Sequence, residues 1–176
     1  MLLVNPVIKI VILGDGAVGK TSLRSKYMGE GFKGDYITTI GVDFATKKLQ
    51  RDDRTYEYQI WDLAGQTRFG FLRKQFLKGT RAAIFVYDVS RLDSLEGLID
   101  WFNDLEMEVK KEIPIKVLGN KIDTIDDVRK DMLPKTYKFE LWGKKHEIPV
   151  KFTSALTGEN VEEAFEELLD EILPKL

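Results

Sequence analysis

The chain has 176 residues, of which 43% are hydrophobic and 32% are charged, and its formal net charge is −2. These proportions are typical of a folded globular protein and exclude a disordered chain, and the lack of a basic excess argues against a dedicated nucleic-acid binder. The sequence has no cysteine, which excludes disulfides and thiolate metal sites, and it has no apolar run of the roughly 20 residues that a transmembrane helix needs.

The two ends carry no recognisable targeting signal. Residues Met1–Pro6 lack the basic start and the cleavage site of a signal peptide, and Met1-Leu2 excludes a myristoylation signal. The last residues, Leu173–Leu176, offer no cysteine for prenylation. We therefore expect a cytoplasmic monomer without an encoded lipid anchor and without a nucleic-acid partner.

In the first half of the chain, an apolar strand leads into a glycine loop and a short helix. The β-branched run Val7–Leu13 predicts a buried strand, and Gly14–Thr21 follows as the loop. Residues 29–41 show no period and predict a long functional loop. Beyond them, strands over 42–50 and 55–62 flank a polar turn, which predicts a β-hairpin.

The second half alternates strand and helix patterns. Three apolar runs predict strands over 81–88, 115–119 and 150–153. A capping box of Asp93 and Glu96 predicts a helix that runs to residue 111, and Asn160 with Glu163 predicts the start of a last helix. The stretch 126–145 is predicted to be helical in part.

These elements predict an α/β fold in one domain over residues 1–176. Strands that alternate with helices form a mostly parallel sheet, here of six strands with one antiparallel hairpin strand and with helices on both faces. Ligands bind such sheets beyond the carboxyl ends of the strands. The unusual residues after successive strands are Gly14–Thr21, Asp62–Gln66, Asn120–Asp123 and Ser154-Ala155.

The loop after the first strand fits a phosphate-binding pattern. Gly14 and Gly19 let the loop turn its backbone N–H groups onto phosphate oxygens, and Lys20 would reach the β- and γ-phosphates. The Thr21 hydroxyl would bind Mg²⁺, and the dipole of the following helix would favour the anion. An ordinary strand-to-helix turn is the alternative, and the strand before the loop and the helix after it disfavour that alternative.

Residues after the second hairpin strand suit a metal ion and a water molecule. Asp62 would hold Mg²⁺ opposite Thr21. Gly65 would bring its N–H to a γ-phosphate, and Gln66 would orient a water for attack on that phosphate. Each is a common loop residue by itself, but its place after a phosphate loop favours the functional interpretation.

The tetrapeptide Asn120–Asp123 predicts selection of guanine. The Asp123 carboxylate can accept two hydrogen bonds from guanine, whereas adenine presents an acceptor at that place and would be rejected. The stem of Lys121 would cover the base, and Asn120 would tie this segment to the phosphate loop. The Ala155 N–H could meet the guanine oxygen. A charged surface turn is the alternative for the tetrapeptide alone.

Five motifs in order make the sequence resemble a Ras-superfamily small GTPase, and most of all the Rab branch. The resemblance covers the chain from Val7 to about Leu173. Besides the motifs above, the matching residues are Phe32, Thr38–Phe44, Trp61-Asp62, Gln66 with Arg68-Phe69, and Tyr87–Val89. The resemblance implies a P-loop NTPase G domain that binds GTP or GDP with Mg²⁺.

The resemblance also implies roles for single residues. Thr39 would bind Mg²⁺ and the γ-phosphate in the GTP state, Phe32 would lie edge-on to guanine, and Tyr36 would close over the phosphates. An aromatic triad that senses the nucleotide and contacts effectors, or that is simply part of the core, would consist of Phe44, Trp61 and Phe76. The implied nucleotide-binding set is Asp15, Gly16, Ala17, Val18, Gly19, Lys20, Thr21, Ser22, Phe32, Tyr36, Thr39, Gly65, Asn120, Lys121, Asp123, Ser154, Ala155 and Leu156. The implied catalytic residues are Gln66 and Lys20, and the implied metal ligands are Thr21, Thr39 and Asp62.

Several positions depart from the family pattern. Thr67 stands where the family usually has a Glu that is tied to exchange-factor action, so the pattern does not predict exchange by a standard factor. Leu63 replaces the usual Thr, and Ala155-Leu156 lacks the usual Lys. The only histidine, His146, lies in a polar stretch, and we interpret it as a surface residue rather than a general base.

We expect a switch that hydrolyses GTP slowly to GDP and phosphate and cycles two loops, 31–41 and 64–74, to control the binding of effector and regulator proteins. No arginine finger in cis can be assigned, because surface or effector roles suit Arg68 and Arg73 better. Two alternatives are a nucleotide-bound interaction module with negligible hydrolysis and an adenine-nucleotide kinase or ATPase.

Overall fold

The computed structural model describes residues 7–30, 41–51, 53–65 and 70–175. Within these ranges one sheet contains the strands β1 (Ile8–Leu13), β2 (Val42–Arg51), β3 (Arg54–Leu63), β4 (Ala82–Asp88), β5 (Ile115–Asn120), β6 (Thr136–Leu141) and β7 (Lys144–Thr153). The α-helices there are α1 (Lys20–Tyr27), α2 (Gly70–Leu77), α3 (Asp93–Glu96), α4 (Leu98–Glu108), α5 (Asp127–Met132) and α6 (Val161–Ile172). None of these helices is long and apolar enough to cross a membrane. The predicted site residues that lie outside the described residues are Phe32, Tyr36, Thr39 and Gln66.

The strand order across the sheet is β2-β3-β1-β4-β5-β7-β6. The five strands from β3 to β7 in this order run parallel, whereas β2 is antiparallel to β3 and β6 is antiparallel to β7. This confirms the predicted α/β fold with a mostly parallel sheet and an antiparallel hairpin. The predicted number of six strands was wrong, because the described part of the chain forms seven. The carboxyl ends of the parallel strands share one edge of the sheet, where ligands bind in such folds.

The additional strand is β6, which lies in the stretch 126–145 that we predicted to be helical in part. Only Asp127–Met132 is α-helical there. Residues 136–141 alternate between exposed side chains and buried or half-buried ones, which is the period of a strand. Trp142 and Gly143 both have positive φ, 51° and 68°, as the favoured two-residue hairpin turns require.

Helices cover both faces of the sheet, as predicted. On one face α2 and α4 contribute Leu77 and Phe102 to a core cluster, and on the other face α1 and α6 contribute Leu23 and Phe165 to a second one. Alternate residues of β1 and β4 enter the two clusters, because successive strand residues point to opposite faces. The buried side of α6 consists of Val161, Ala164, Phe165, Leu168, Leu169 and Ile172.

The predicted capping box of Asp93 and Glu96 is wrong, whereas the predicted start of the last helix at Asn160 is confirmed. Asp93 is already inside α3, whose N-cap makes no side-chain cap bond, and Gly97 separates this short helix from α4. Asn160 does lie at the N-cap of α6, but it makes no side-chain cap bond there. Its amide instead donates to the Phe152 carbonyl oxygen at 2.8 Å, so it ties the helix start to β7.

Candidate nucleotide-binding site

The loop between β1 and α1 depends on glycine at two points. Gly14 has a φ of 147° and Gly19 a φ of 100°, which side chains rarely allow. Space is also lacking, because an added Cβ would lie less than 3 Å from the Val86 carbonyl oxygen at Gly14 and less than 3 Å from the Asn120 amide at Gly19. The loop therefore lies directly against the ends of β4 and β5.

The buried Lys20 side chain hydrogen-bonds to the start of this loop. The residue is 6% exposed, and its Nζ donates to the carbonyl oxygens of Gly14 and Asp15, both at 2.7 Å. Burial lowers the pKa of Lys20 to about 8, while the nearby Asp62 and Asp15 carboxylates act in the opposite direction. A buried cation at the N-terminus of a helix is a suitable seat for an anionic ligand.

Thr21 meets Asp62 at the carboxyl end of β3. The Thr21 hydroxyl donates to the Asp62 carboxylate, which is fully buried. The sheet register brings them together, because β1 and β3 are parallel neighbours in which Ile12 pairs with Asp62. Hydroxyl and carboxylate oxygens are ligands that Mg²⁺ prefers, so this donor set fits the metal that the sequence implies.

Gly65 lies directly against the phosphate loop. An added Cβ on Gly65 would lie less than 3 Å from the Gly16 nitrogen and from the Asp15 carbonyl oxygen. Only a residue without a side chain can bring the segment after β3 this close. Gln66 is the next residue in the sequence, and its expected position stays a prediction because it lies outside the described residues.

Asn120, at the end of β5, joins three segments. Its amide nitrogen donates to the Val18 carbonyl oxygen at 2.9 Å, which is the tie to the phosphate loop that the sequence suggested. Its amide oxygen accepts from the Thr153 hydroxyl and from the Ala155 N–H, both at 3.2 Å. The Ala155 N–H, which we expected at the guanine oxygen, therefore has Asn120 as its partner in this structure.

Lys121 crosses from the same segment to the phosphate loop. Its φ of 67° is left-handed, and its Nζ donates to the Ala17 carbonyl oxygen at 2.6 Å. The same Nζ lies 2.7 Å from a carboxylate oxygen of Asp88. The cation is thus fixed between a backbone carbonyl and a carboxylate, and its stem spans the gap between two loops.

Asp123 is held by Ser154, from the segment after β7. The Ser154 hydroxyl donates to the Asp123 carboxylate at 2.5 Å, and Ser154 is fully buried. The same hydroxyl accepts from the Thr157 N–H at 3.0 Å. This chain of bonds fixes the direction of the carboxylate that we expect to select the base.

The other predicted residues differ in their surroundings. Ser22 lies half-buried in the first turn of α1, and Leu156 is exposed. The three aromatic residues form a row, in which Phe44 stacks on Trp61 with ring centroids 4.9 Å apart and Phe76 lies 6.3 Å beyond Trp61. Phe44 is 49% exposed, so it is not a core residue.

His146 lies away from the residues described above. It is on β7, where its ring stacks on Phe139 and its Nε2 lies 3.1 Å from the Leu141 carbonyl oxygen. Its ring therefore packs on β6 within the β6–β7 hairpin, rather than lying free on the surface.

Three residues that contact the phosphate loop or its partners received no role in the predicted site. Asp88, at the end of β4, accepts from the N–H and hydroxyl of Ser90 as well as from Lys121. Burial raises the pKa of Asp88, but these bonds outweigh burial and hold the pKa below its ordinary value. Arg91 donates to the Gly16 carbonyl oxygen at 2.9 Å, and Trp101 donates to the Asp15 carboxylate at 2.9 Å. Asp88 could have been found by its place at a strand end, whereas Arg91 and Trp101 carry no such signal.

Comparisons with known proteins show the family to which the chain belongs. The family model described as "Ras family" matches residues 9–174. Ras-related protein RABG3f of Arabidopsis thaliana is 40% identical over 164 residues, which cover 90% of this chain and 79% of the relative. Ras-related protein Rab7 of Pisum sativum is 39% identical over 171 residues, covering 94% and 82%. The Ypt/Rab-type GTPase avaA of Emericella nidulans is 40% identical over 163 residues, covering 90% and 78%. The chain therefore belongs to the Ras family, in its Rab branch, and is a GTPase that acts as a GTP-binding switch.

Proposed function

We propose that the carboxyl edge of the sheet binds GTP and GDP with Mg²⁺ through the residues described above. The observation that carries this proposal is the convergence of three contacts at one edge. Lys20 bonds the phosphate-loop carbonyls, Thr21 bonds Asp62, and Asn120 bonds Val18. These contacts support the proposal because they bring a buried cation, a hydroxyl with a carboxylate, and the segment that begins at Asn120 to one loop.

In this proposal the phosphates lie along the loop from Asp15 to Ser22. Backbone N–H groups and Lys20 would bind the β- and γ-phosphate oxygens, and the dipole of α1 would add to their attraction. A bound triphosphate would offset the cost of burying the charged Lys20 side chain, because a nearby anion favours the ammonium form. Gly65, packed on Gly16, is near enough to the loop to offer its N–H to the terminal phosphate.

Thr21 and Asp62 would hold Mg²⁺, and Thr39 would join them when GTP is bound. When bound, the ion would neutralise charge that develops on the transferring phosphoryl group. Gln66 would orient the water that attacks the γ-phosphate. In the absence of a partner that supplies an arginine, we expect slow turnover, on the order of 10⁻⁴ to 10⁻² per second.

On the other side of the site, Asp123 would accept two hydrogen bonds from guanine. The Ser154 bond supports this role, because it fixes a carboxylate that must meet both donors at once. The stem of Lys121 would cover one face of the base, Phe32 would lie edge-on to it, and Tyr36 would close over the phosphates. Ala155 and Leu156 would complete the rim.

The segments 31–41 and 64–74, the second of which includes the first residues of α2, would change with the nucleotide and control the binding of effectors and regulators. The exposed Phe44, stacked on Trp61, is a surface that such a partner can contact. We further propose that residues 1–176 form one G domain that works as a cytoplasmic monomer. The Rab branch suggests that the pathway is intracellular trafficking.

Two measurements on the purified protein test this function. First, nucleotide released by acid from the folded protein should chromatograph as GDP or GTP at about one equivalent. Second, protein loaded with GTP should release phosphate over minutes to hours with Mg²⁺ present, and chelation of Mg²⁺ should abolish that release. Bound nucleotide without phosphate release would support a non-hydrolysing interaction module, and preference for ATP over GTP would contradict the base assignment.

A further inference from the structure

The side chain of Asp15, in the phosphate loop, contacts helix α4. Its Oδ1 accepts from Trp101 Nε1 at 2.9 Å, and Trp101 is 1% exposed. The second carboxylate oxygen fits against Gly97, where an added Cβ would lie less than 3 Å away. Gly97 has an ordinary helical φ of −61°, so a side chain there would not strain the backbone but would displace the Asp15 carboxylate.

The ring of the same tryptophan is stacked by Arg73 from helix α2. The guanidinium carbon lies 4.1 Å from the Trp101 ring centroid. Arg73 Nη2 also lies 2.6 Å from Asp104 Oδ2, and the two side chains are only 14% and 15% exposed. The largely buried guanidinium should keep this position, because moving it away from the ring and the carboxylate would leave its charge poorly compensated.

The four residues Asp15, Trp101, Arg73 and Asp104 form what we call the indole link. Trp101 touches the phosphate loop through its N–H and α2 through its ring, and Lys20 Nζ lies 6.0 Å from that ring. α2 begins at Gly70, four positions after Gln66 in the sequence. The indole link therefore joins the loop that would hold the phosphates to the helix that follows the expected water-orienting residue.

We propose that Trp101 and Arg73 are positioning residues for GTP hydrolysis, which fix α2 relative to the phosphate loop so that Gln66 reaches the terminal phosphate. This inference rests on the proposed function. It also explains why the indole N–H is directed at the acidic residue of the phosphate loop. A buried indole needs only some acceptor, and Trp142 satisfies its own N–H with a backbone carbonyl, that of Val109 at 2.6 Å.

Two substitutions test the link, each with a defined loss. Trp101→Phe keeps an aromatic ring for Arg73 but removes the donor to Asp15, and Arg73→Met keeps an unbranched apolar side chain but removes the guanidinium. We expect each to lower the single-turnover rate of GTP hydrolysis about tenfold, since small misplacements of a catalytic group have effects of this size or larger. The dissociation constants for GDP and GTP should stay within about twofold of the wild-type values, because phosphate and base contacts are retained.

The matched control is Trp142→Phe, which also removes an indole hydrogen bond but lies in the β6–β7 hairpin turn. It should hydrolyse GTP at the wild-type rate. Because Trp101 and Arg73 act as one unit, the double variant should be no slower than the slower single variant, within about twofold. Wild-type rates in both single variants, or a parallel loss of nucleotide affinity and rate, would overturn the proposal.

A second readout does not depend on hydrolysis. Amide hydrogen exchange of α2 in the GDP-loaded protein should become faster in Trp101→Phe and Arg73→Met, but not in Trp142→Phe. If the wild-type protein released no phosphate at all, the proposed hydrolysis would be wrong. The hydrogen exchange of α2 would still show whether the indole link holds this helix in place. Unchanged exchange in both variants would overturn it. If Trp101→Phe does not fold, Arg73→Met gives the same decision.

Discussion

The side-chain amide of Asn120 donates to the Val18 carbonyl oxygen at 2.9 Å, although the two residues are 102 positions apart in the chain. Asn120 is 1% exposed, and its amide oxygen accepts from Thr153 and Ala155. One side chain therefore joins the phosphate loop, the end of β5 and the segment after β7. The relative position of the phosphate seat and the base-recognition segment depends on this residue.

Asn120→Ala should lower both stability and nucleotide affinity. The change leaves two buried donors and one buried acceptor without their partner, and we expect the free energy of unfolding to fall by about 2–4 kcal/mol. Denaturant unfolding of the nucleotide-free protein and titration with GDP measure the two effects. Asn103→Ala, at an exposed position of α4, is the control and should change neither. Retention of full GDP affinity would remove Asn120 from the site.

Asp123→Asn should shift the preference from GTP toward xanthosine triphosphate. The asparagine amide would present an N–H donor to the guanine edge, which itself offers only donors there, N1–H and the exocyclic amine. Xanthine has a carbonyl oxygen in place of that amine, and this oxygen can accept from the amide. The Ser154 hydroxyl can still donate to the amide oxygen, so the side chain should keep its direction. Competition between the two triphosphates measures the shift, and we expect GTP to weaken by about 100-fold or more. Asp126→Asn, which changes the N-cap of α5, is the matched control, and unchanged GTP affinity in Asp123→Asn would contradict the assignment.

Nucleotide binding should take up a proton at Lys20 when the pH is above 8. Burial lowers the pKa of this lysine to about 8 in the nucleotide-free protein, and a bound triphosphate favours the ammonium form and raises the pKa. The bound state then holds more protons than the free state, so the affinity for GTP falls as the pH rises above about 8. Calorimetry at pH 9 in two buffers of different ionisation enthalpy should detect nearly one proton, and about a tenth of one at pH 7. Lys20→Met should bind weakly and without this uptake, and an uptake that persists there would assign the proton to another group.

The meeting of Lys20, Thr21, Asp62 and Asn120 at one edge could be predicted from the sequence. Each of these residues follows a parallel strand or lies at its carboxyl end. The carboxyl ends of parallel strands lie at one edge of the sheet, regardless of the conformation of the loops between the strands. The same rule applies to Asp88, which ends β4 and which we named only as part of the family resemblance, without a role in the site.

The indole link and strand β6 could not be predicted in the same way. Trp101 contacts Asp15 across 86 positions, and its place depends on the packing of α4 and on Gly97, neither of which has a pattern in a single sequence. In residues 136–141 the alternation that is typical of a strand covers only six residues. So short a pattern did not outweigh the helical prediction for the stretch in which it lies. Tertiary packing on Phe102, whose ring lies 4.1 Å from that of Phe139, stabilises the strand there.

Gln66→Leu should slow hydrolysis and leave nucleotide affinity nearly unchanged. Leucine has a similar volume but cannot orient a water by hydrogen bonds, so the loss should appear in the single-turnover rate and not in binding. We expect the rate to fall at least about tenfold. Gln75→Leu, at an exposed position on α2, is the matched control. A normal rate in Gln66→Leu would exclude this residue from the mechanism.

Gly65→Ala tests whether the close packing of two loops serves hydrolysis. A methyl group there would overlap the Gly16 nitrogen and the Asp15 carbonyl oxygen, and the segment after β3 would have to move away from the phosphate loop. Because Gly65 would meet only the terminal phosphate, GTP hydrolysis should fall about 10- to 100-fold while GDP affinity changes much less.

The control for Gly65→Ala is Gly79→Ala. Gly79 has a positive φ of 75° but no neighbour within 4 Å of an added Cβ, so the change strains the backbone without a clash. It should cost about 1 kcal/mol of stability and leave hydrolysis intact. Single-turnover phosphate release and GDP titration on both variants measure the difference. Equal hydrolysis by the two variants would mean that Gly65 packs on the loop for stability alone.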